Sequence, residues 1–219
     1  MKKKNIIISI VLIVLSILFT VLIKTVDVQS VGVNGTDIGF ATINKKVFET
    51  IGQNDLLYKI SEILGYIALG IVFIYAVVGL YQLIKRKNLL KVDNEIIALG
   101  VFYIIVLGLY FLFDKIAINY RPVLENGKLE ASFPSSHTLL AICVCVSATW
   151  INKRLFKSDM TKIFNCLLLL MAVATVFARF LSGVHWLTDI FGGIIISSAL
   201  LMCFKTVLEM LDNKQKKHL

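Results

Sequence analysis

The polar cluster with the most specific spacing in this chain contains Arg179, His185 and Asp189. In a helix, His185 and Asp189 share one face because they are four residues apart. A carboxylate next to one imidazole nitrogen fixes the tautomer and leaves the other nitrogen free to act as a nucleophile. The alternative is an interfacial His–Asp pair beside an arginine whose charged end reaches the membrane surface.

A second cluster reads Pro134-Ser135-Ser136-His137. Proline followed by serines predicts the start of a helix, with Ser135 or Ser136 as the N-cap. The free N–H groups at a helix N-terminus bind phosphate well, and a neighbouring imidazolium can donate a proton to a departing oxygen. The alternative is a capping sequence without a ligand.

A third cluster is Arg121-Pro122, with Lys115 upstream. The planar guanidinium of Arg121 offers paired donors for phosphate oxygens, and Lys115 adds a point charge. The alternative is that both residues anchor the end of a membrane span, which fits Lys115 better than Arg121.

The composition of the chain shows which elements must position these clusters. Of the 219 residues, 58% are hydrophobic and only 17% are charged, and the mean hydropathy is +0.83. These values exclude a soluble enzyme, a disordered tail and a disulfide scaffold. The net charge of +9 does not indicate nucleic-acid binding, because the basic residues lie at the ends of apolar runs.

The apolar runs predict an all-α integral membrane protein, a bundle of six transmembrane helices. Each run is long enough to cross a hydrocarbon core of about 30 Å. The expected spans are residues 5–24, 60–84, 95–113, 134–152, 161–181 and 186–206 of one polytopic domain covering 1–219. The first run is too long for a signal peptide and lacks a convincing cleavage site, so it is interpreted as an uncleaved helix.

The distribution of basic residues predicts the orientation. Most of the 23 lysines and arginines fall on one side of the six spans, in the groups 2–4, 85–91, 153–162 and 205–217. The positive-inside rule places that side and both termini in the cytoplasm. The three polar clusters then face outward, at the outer membrane boundary.

Other segments give weaker signals. Phe40, Ile43, Val47 and Ile51 have helical spacing and precede Gly52, which predicts a short amphipathic helix on the outer membrane surface or packed on the spans. Asn126-Gly127 between alternating flanks predicts a hairpin turn. The four cysteines, Cys143, Cys145, Cys166 and Cys203, lie in predicted spans and are interpreted as small packing residues rather than disulfide or zinc partners.

Taken together, the clusters resemble the signature of the type 2 phosphatidic acid phosphatase superfamily. That signature reads Lys-x6-Arg-Pro, Pro-Ser-Gly-His and Ser-Arg-x5-His-x3-Asp. The chain has Lys115-x5-Arg121-Pro122, Pro134-Ser135-Ser136-His137 and Ala178-Arg179-x5-His185-x3-Asp189. It departs from the pattern in three ways: Asp114 occupies the lysine position, Ser136 replaces glycine and Ala178 replaces serine.

The resemblance implies a role for each matching residue. His185 would be the nucleophile that forms a phosphohistidine, Asp189 would orient it, and His137 would protonate the leaving oxygen. Lys115, Arg121, Ser135, Ser136 and Arg179 would bind the phosphate. No metal and no other cofactor is implied.

The implied substrate is a membrane lipid phosphate or pyrophosphate. Undecaprenyl pyrophosphate, phosphatidylglycerophosphate and phosphatidic acid are the expected candidates, in the cell membrane of a bacterium. A lipid phosphotransferase, or a non-catalytic protein that binds or transports anionic lipid, remains an alternative. The sequence predicts no oligomeric state and no nucleic-acid partner.

Overall fold

The computed structural model describes residues 2–125, 127–156 and 158–215, and within these ranges the chain forms seven α-helices and no β-strand. Two short 3-10 helices, Val33–Gly35 and Leu89–Lys91, lie between them. The predicted all-α class is confirmed, and six of the helices, all except α2, are long and apolar enough to cross a membrane. The seven helices are α1 (Lys2–Thr25), α2 (Ala41–Ile51), α3 (Asp55–Arg86), α4 (Asn94–Lys115), α5 (Ser136–Leu155), α6 (Asp159–Leu181) and α7 (Leu187–Gln215).

The starts of α3 and α5 differ in how their first N–H groups are satisfied. The Asn54 side chain accepts a hydrogen bond from the Leu57 N–H at 3.0 Å, so α3 begins well before the apolar run that predicted it. Helix α5 begins at Ser136 with Ser135 as its N-cap residue, one of the two residues predicted for that position. The Ser135 hydroxyl makes no capping hydrogen bond, which leaves it free for another partner.

Helix α5 lies at the centre of the bundle, where it packs against α3, α4, α6 and α7. Its side chains Cys143, Cys145 and Ala148 are fully buried, as expected for small packing residues. Helix α1 packs mainly on α7, and most of its apolar side chains are exposed, as a bilayer requires. Of the other cysteines, Cys166 is exposed and Cys203 is half-buried.

Helix α2 coincides with the predicted amphipathic helix and ends at Gly52, which has a left-handed φ of 67°. Asn44 is buried and its amide donates to the Thr188 hydroxyl at 2.9 Å. The rings of Phe48 and Trp186 lie 5.7 Å apart. Helix α2 therefore packs on the start of α7, which is the second of the two arrangements that the sequence left open.

The predicted hairpin turn is present as two backbone hydrogen bonds. The Glu125 N–H donates to the Lys128 carbonyl at 3.0 Å, and the Lys128 N–H donates to the Glu125 carbonyl at 2.9 Å. Gly127 has a φ of 76°, which the tight turn requires. The other residue of the predicted turn, Asn126, lies outside the described residues.

One end of the bundle collects all three polar clusters, and we call it the site end. Helices α5 and α7 begin there, and α4 and α6 end there, because consecutive spans are antiparallel. The segment 116–135 connects α4 to α5 across this end, and the segment 182–186 connects α6 to α7. The fold thus brings together residues that are far apart in sequence.

Candidate active site

His185 and Asp189 form a buried pair at the start of α7. The imidazole Nδ1 lies 3.5 Å from Asp189 Oδ2, as their four-residue spacing predicted. The Trp186 N–H donates to the same carboxylate oxygen at 2.9 Å, and the Ser135 N–H donates to the Asp189 backbone carbonyl at 3.0 Å. Asp189 is therefore held at its carboxylate by the Trp186 N–H and at its backbone by the N–H before α5. His185 Nε2 makes no hydrogen bond of good geometry with the described residues.

The environment of His185 favours the neutral imidazole. Burial lowers the pKa of His185 well below the ordinary value of 6.5, and the charges of Arg121 and Arg179 lower it further. A nucleophilic nitrogen must be unprotonated, so the same environment that excludes water also prepares the ring to attack.

The lowered pKa of His185 leads to a prediction about pH. A pKa below 6.5 keeps the imidazole unprotonated as the pH falls, so we expect phosphoenzyme formation at saturating substrate to persist well below pH 6.5. The measurement is rapid-quench trapping of the phosphoenzyme from about pH 4.5 to pH 8. An acid limb centred on the pKa of free imidazole would contradict it.

The same measurement needs a control for acid unfolding. In the unfolded chain His185 binds a proton below about pH 6.5, whereas in the folded chain it does not, so the folded state becomes less stable as the pH falls. Circular dichroism recorded at each pH therefore shows whether a loss of phosphoenzyme comes from protonation of the ring or from unfolding.

The segment between Arg179 and His185 is held against the start of α3. The Asn54 N–H donates to the Ser182 carbonyl at 3.1 Å. Gly183 has a φ of 69°, and a Cβ atom there would overlap the Gly52 carbonyl oxygen. Only glycine satisfies both the backbone conformation and the close approach, and this tight turn fixes the position of His185 relative to Arg179.

Arg179 is fully buried and bound to α3. Its Nη1 donates to Glu62 Oε1 at 2.7 Å and to the Ser61 hydroxyl at 3.0 Å. Its guanidinium carbon lies 5.2 Å from the centre of the Tyr58 ring. The remaining donors, Nε and Nη2, have no hydrogen-bond partner among the described residues. A buried guanidinium with two free donors is suited to bind an anion with paired oxygens.

His137 lies in the first turn of α5 and faces the same carboxylate. Its Nε2 is 3.2 Å from Glu62 Oε1, and its Nδ1 has no hydrogen-bond partner among the described residues. Gly65 makes this approach possible, because a Cβ atom at that position would lie 2.5 Å from His137 Cδ2 and 2.8 Å from Nε2. The position of the imidazole thus depends on a glycine in another helix.

We predict that Gly65→Ala displaces His137 and lowers activity. Alanine is the better helix former, so the helix itself does not lose stability, whereas the added methyl group must push the imidazole away. We expect kcat to fall about 10²-fold, the range of one general acid. The matched control is Gly70→Ala in the same helix, where a Cβ atom meets nothing within 4 Å. Equal activity in both variants would contradict the prediction.

Arg121 lies in the segment 116–135 and is paired with two carboxylates. Its Nη2 is 3.2 Å from Glu130 Oε2, and its Nη1 contacts Glu125. Burial lowers the pKa of Arg121, and the charge of Arg179 lowers it further, whereas Glu130 raises it. Its Nε has no partner among the described residues. Arg121 is therefore held between two carboxylates and is still able to donate from Nε.

Two cavities meet at the N-terminus of α5. One, of about 80 Å³, is enclosed by polar groups that include Arg121, Ser132, Ser136 and His185. The other, of about 310 Å³, is a more apolar groove between α3, α4 and α5, and it contains His137. Ser136 and Tyr110 line both cavities, so a ligand can extend from a polar end into an apolar one.

The structure brings together all of the predicted site residues except one. Seven of them surround the two cavities or lie behind the residues that do: His137, His185, Asp189, Arg121, Arg179, Ser135 and Ser136. Lys115 does not join them, because its side chain is exposed at the last residue of α4 and lines neither cavity. Asp114, which occupies the lysine position of the signature, lines the polar cavity instead.

The sequence interpretation missed the contribution of α3 and of the acidic residues. Four residues of α3 contact Arg179 or His137 although they belong to no recognised motif: Tyr58, Ser61, Glu62 and Gly65. One signal was present, because an ionisable residue such as Glu62 within a spanning helix is costly and often functional. The sequence alone does not single out Glu62, because it lies near the start of the predicted span 60–84, before the uncharged residues 63–84.

Comparison with known proteins confirms the predicted family resemblance. Residues 111–211 match the model of the PAP2 superfamily. No curated protein sequence matches the chain. A solved structure of similar fold is the transmembrane PAP2-type phosphatidylglycerolphosphate phosphatase from Bacillus subtilis, with a TM-score of 0.61 and 21% identity over 92% of this chain and 96% of that one. LpxE from Aquifex aeolicus has a TM-score of 0.42 and 22% identity over 75% of this chain and 94% of its own.

Proposed function

We propose that this chain, whose residues 111–211 match the PAP2 superfamily, is a membrane lipid phosphatase that acts through a phosphohistidine. The observation that carries the proposal is the group of buried donors without partners around the His185–Asp189 pair. Arg121 Nε, Arg179 Nε and Arg179 Nη2 donate to no acceptor among the described residues. Buried polar groups are normally paired, so these donors indicate an anionic ligand beside a nucleophile.

In the proposed first step, His185 Nε2 attacks phosphorus and forms an N–P bond. The bond between phosphorus and the ester oxygen breaks, and His137 donates a proton to the departing alkoxide. In the second step, a water molecule attacks the phosphohistidine while His137 accepts its proton, and the N–P bond breaks to release phosphate. Asp189 fixes the ring and stabilises the positive charge that develops on it.

Arg121 and Arg179 stabilise the charge on the phosphoryl group as it transfers. Ser135 adds a free hydroxyl, and Ser136 begins α5, whose N-terminal N–H groups can also bind phosphate. We leave Lys115 out of the proposed binding set because it lies outside both cavities. These groups supply the nucleophile, the acid and the charge stabilisation, so the proposed reaction uses no metal.

The apolar groove supports a lipid as the substrate. It adjoins the polar cavity between three spanning helices, so a phosphate can lie in the polar cavity while an acyl or prenyl chain lies in the groove. Undecaprenyl pyrophosphate, phosphatidylglycerophosphate and phosphatidic acid all have this form. An outward site slightly favours the polyprenyl carrier, whereas the Bacillus subtilis protein of similar fold is a phosphatidylglycerolphosphate phosphatase.

The test is phosphate release by the protein purified in detergent, with EDTA, from each of the three lipids. We expect release from at least one lipid and a trapped phosphoenzyme that is labile to acid and stable to alkali. Release from diacyl lipids but never from the pyrophosphate would reject the polyprenyl preference. Transfer of the phosphoryl group to added glycerol instead of water would indicate a phosphotransferase. No phosphoenzyme and no release would favour a lipid-binding or transport protein.

We also propose that both termini are cytoplasmic and that the site end faces outward in a bacterial cell membrane. The proposal rests on the excess of basic residues at the other end of the bundle. Cysteine-labelling tags at the C-terminus and in the turn at Glu125–Gly127 should react from opposite sides of sealed membrane vesicles. Labelling of both tags from one side would reject this orientation.

A further inference from the structure

One face of α3 receives both His137 and Arg179. Tyr58, Ser61, Glu62 and Gly65 follow one another at helical spacing, so they point to the same side of the helix. None of them lies within residues 111–211, the part of the chain that matches the superfamily. The match to the superfamily therefore does not account for their contacts with His137 and Arg179, which are seen only in the structure.

Glu62 is the centre of this face. Its Oε1 accepts from Arg179 Nη1 at 2.7 Å and lies 3.2 Å from His137 Nε2. One carboxylate oxygen thus contacts a group proposed to bind phosphate and the group proposed to donate the proton. Its side chain is 26% exposed, whereas the Arg179 side chain is fully buried, so the carboxylate lies at the boundary between the core and the site.

The geometry allows Glu62 to keep both contacts while substrate is bound. Arg179 still has Nε and Nη2 free among the described residues, which is the edge that can donate two parallel hydrogen bonds to a phosphate. His137 likewise keeps Nδ1 free of any described partner. Each residue therefore uses one nitrogen for Glu62 and keeps another for the substrate.

We propose that Glu62 is a positioning residue for proton transfer by His137, an inference that rests on the proposed phosphatase function. The Glu62 carboxylate holds the Nε2–H of the imidazolium and directs Nδ1–H toward the ester oxygen. As the bond between phosphorus and oxygen breaks, the Nδ1 proton passes to the departing oxygen and His137 becomes neutral. Each catalytic histidine then has its own carboxylate: Asp189 for the nucleophile and Glu62 for the acid.

The experiment compares two substrates that need the acid to different degrees. An alkyl phosphate such as phosphatidic acid has a poor leaving group that must be protonated, whereas p-nitrophenyl phosphate has a leaving group that departs as the anion. We expect Glu62→Gln to lower kcat about 10²-fold on phosphatidic acid and only a few-fold on p-nitrophenyl phosphate. Glutamine keeps the volume and an oxygen acceptor for Arg179, so the fold and the phosphate site are retained.

Two variants control for other effects of this change. Ser61→Ala removes the other acceptor of Arg179 Nη1 and should lower both substrates equally, because it acts on phosphate binding. Glu49→Gln makes the same charge change on the exposed side of α2 and should leave both activities unchanged. In the background of His137→Ala, Glu62→Gln should have no further effect on phosphatidic acid, because the two residues act as one unit.

The outcomes separate this inference from the proposed function. No phosphate release by the wild-type protein from p-nitrophenyl phosphate or from any of the three candidate lipids would overturn the phosphatase function and the inference with it. An active wild type in which Glu62→Gln lowers both substrates equally, or adds its full effect to His137→Ala, would overturn only the role of Glu62. A loss confined to the alkyl phosphate and absent in the His137→Ala background is the expected result.

Discussion

His185→Gln is expected to abolish phosphoenzyme formation and to lower kcat on a lipid phosphate at least about 10⁴-fold. Among the described residues that line the polar cavity, the imidazole alone has an uncharged nitrogen that is free to attack, and glutamine offers no comparable nucleophile. Glutamine fills much of the same volume, so the variant should fold. The measurements are single-turnover phosphate release and phosphoenzyme trapping on the purified protein.

Asp189→Asn provides the companion measurement. An amide at this position cannot select the same tautomer of His185, so we expect a large loss of kcat with a phosphoenzyme that still forms slowly. Thermal unfolding of both variants would show whether the loss is chemical. If His185→Gln kept more than about one per cent of the wild-type kcat, a different nucleophile would have to be sought.

Arg179→Lys is expected to lower kcat/KM about 10²- to 10³-fold although the positive charge is kept. Arg179 uses one edge for Ser61 and Glu62 and leaves Nε and Nη2 for the phosphate. The compact ammonium of lysine cannot reach both sets of acceptors at once. The carboxylate of Glu62 keeps a second cation nearby in Arg179→Lys. The stability should therefore fall less than in Arg179→Ala, which leaves that carboxylate with His137 as its one partner among the described residues.

The control is Arg154→Lys at the opposite end of the bundle. Arg154 is also paired with a carboxylate, that of Asp212, but it lies far from both cavities. We expect a change in thermal stability there without a change in kcat/KM. Equal losses of activity in Arg154→Lys and Arg179→Lys would mean that Arg179 only supports the fold.

Much of this architecture could be predicted from the sequence, because the bilayer imposes a length and a composition on every span. The apolar runs indicated six helices, and the four-residue spacing of His185 and Asp189 indicated their contact. The serines before His137 indicated where α5 begins. In each case a local physical rule, acting over a few residues, was sufficient.

The contacts between helices could not be predicted in the same way. Nothing in one sequence fixes how α3 is rotated or shifted against α5 and α6, so the approach of Glu62 to His137 and Arg179 was not foreseen. The two carboxylates on Arg121 depend on the path of the segment 116–135. Lys115 differs from Asp114 by one residue, about 100° around α4, and that rotation decides which side chain lines the cavity.

The hydrogen bonds of Trp186 place a fluorescent side chain directly beside the proposed phosphate site. The indole N–H donates to the Tyr120 carbonyl at 2.7 Å, and the backbone N–H holds the carboxylate that fixes the neighbouring His185. The chain has two tryptophans, and the other, Trp150, stacks against Phe204 at a ring distance of 6.4 Å in the bundle. Replacing Trp150 with phenylalanine leaves Trp186 as the single tryptophan, next to the histidine proposed to attack phosphate. We expect its emission to change when phosphate binds, and a titration with inorganic phosphate would measure that change without a label.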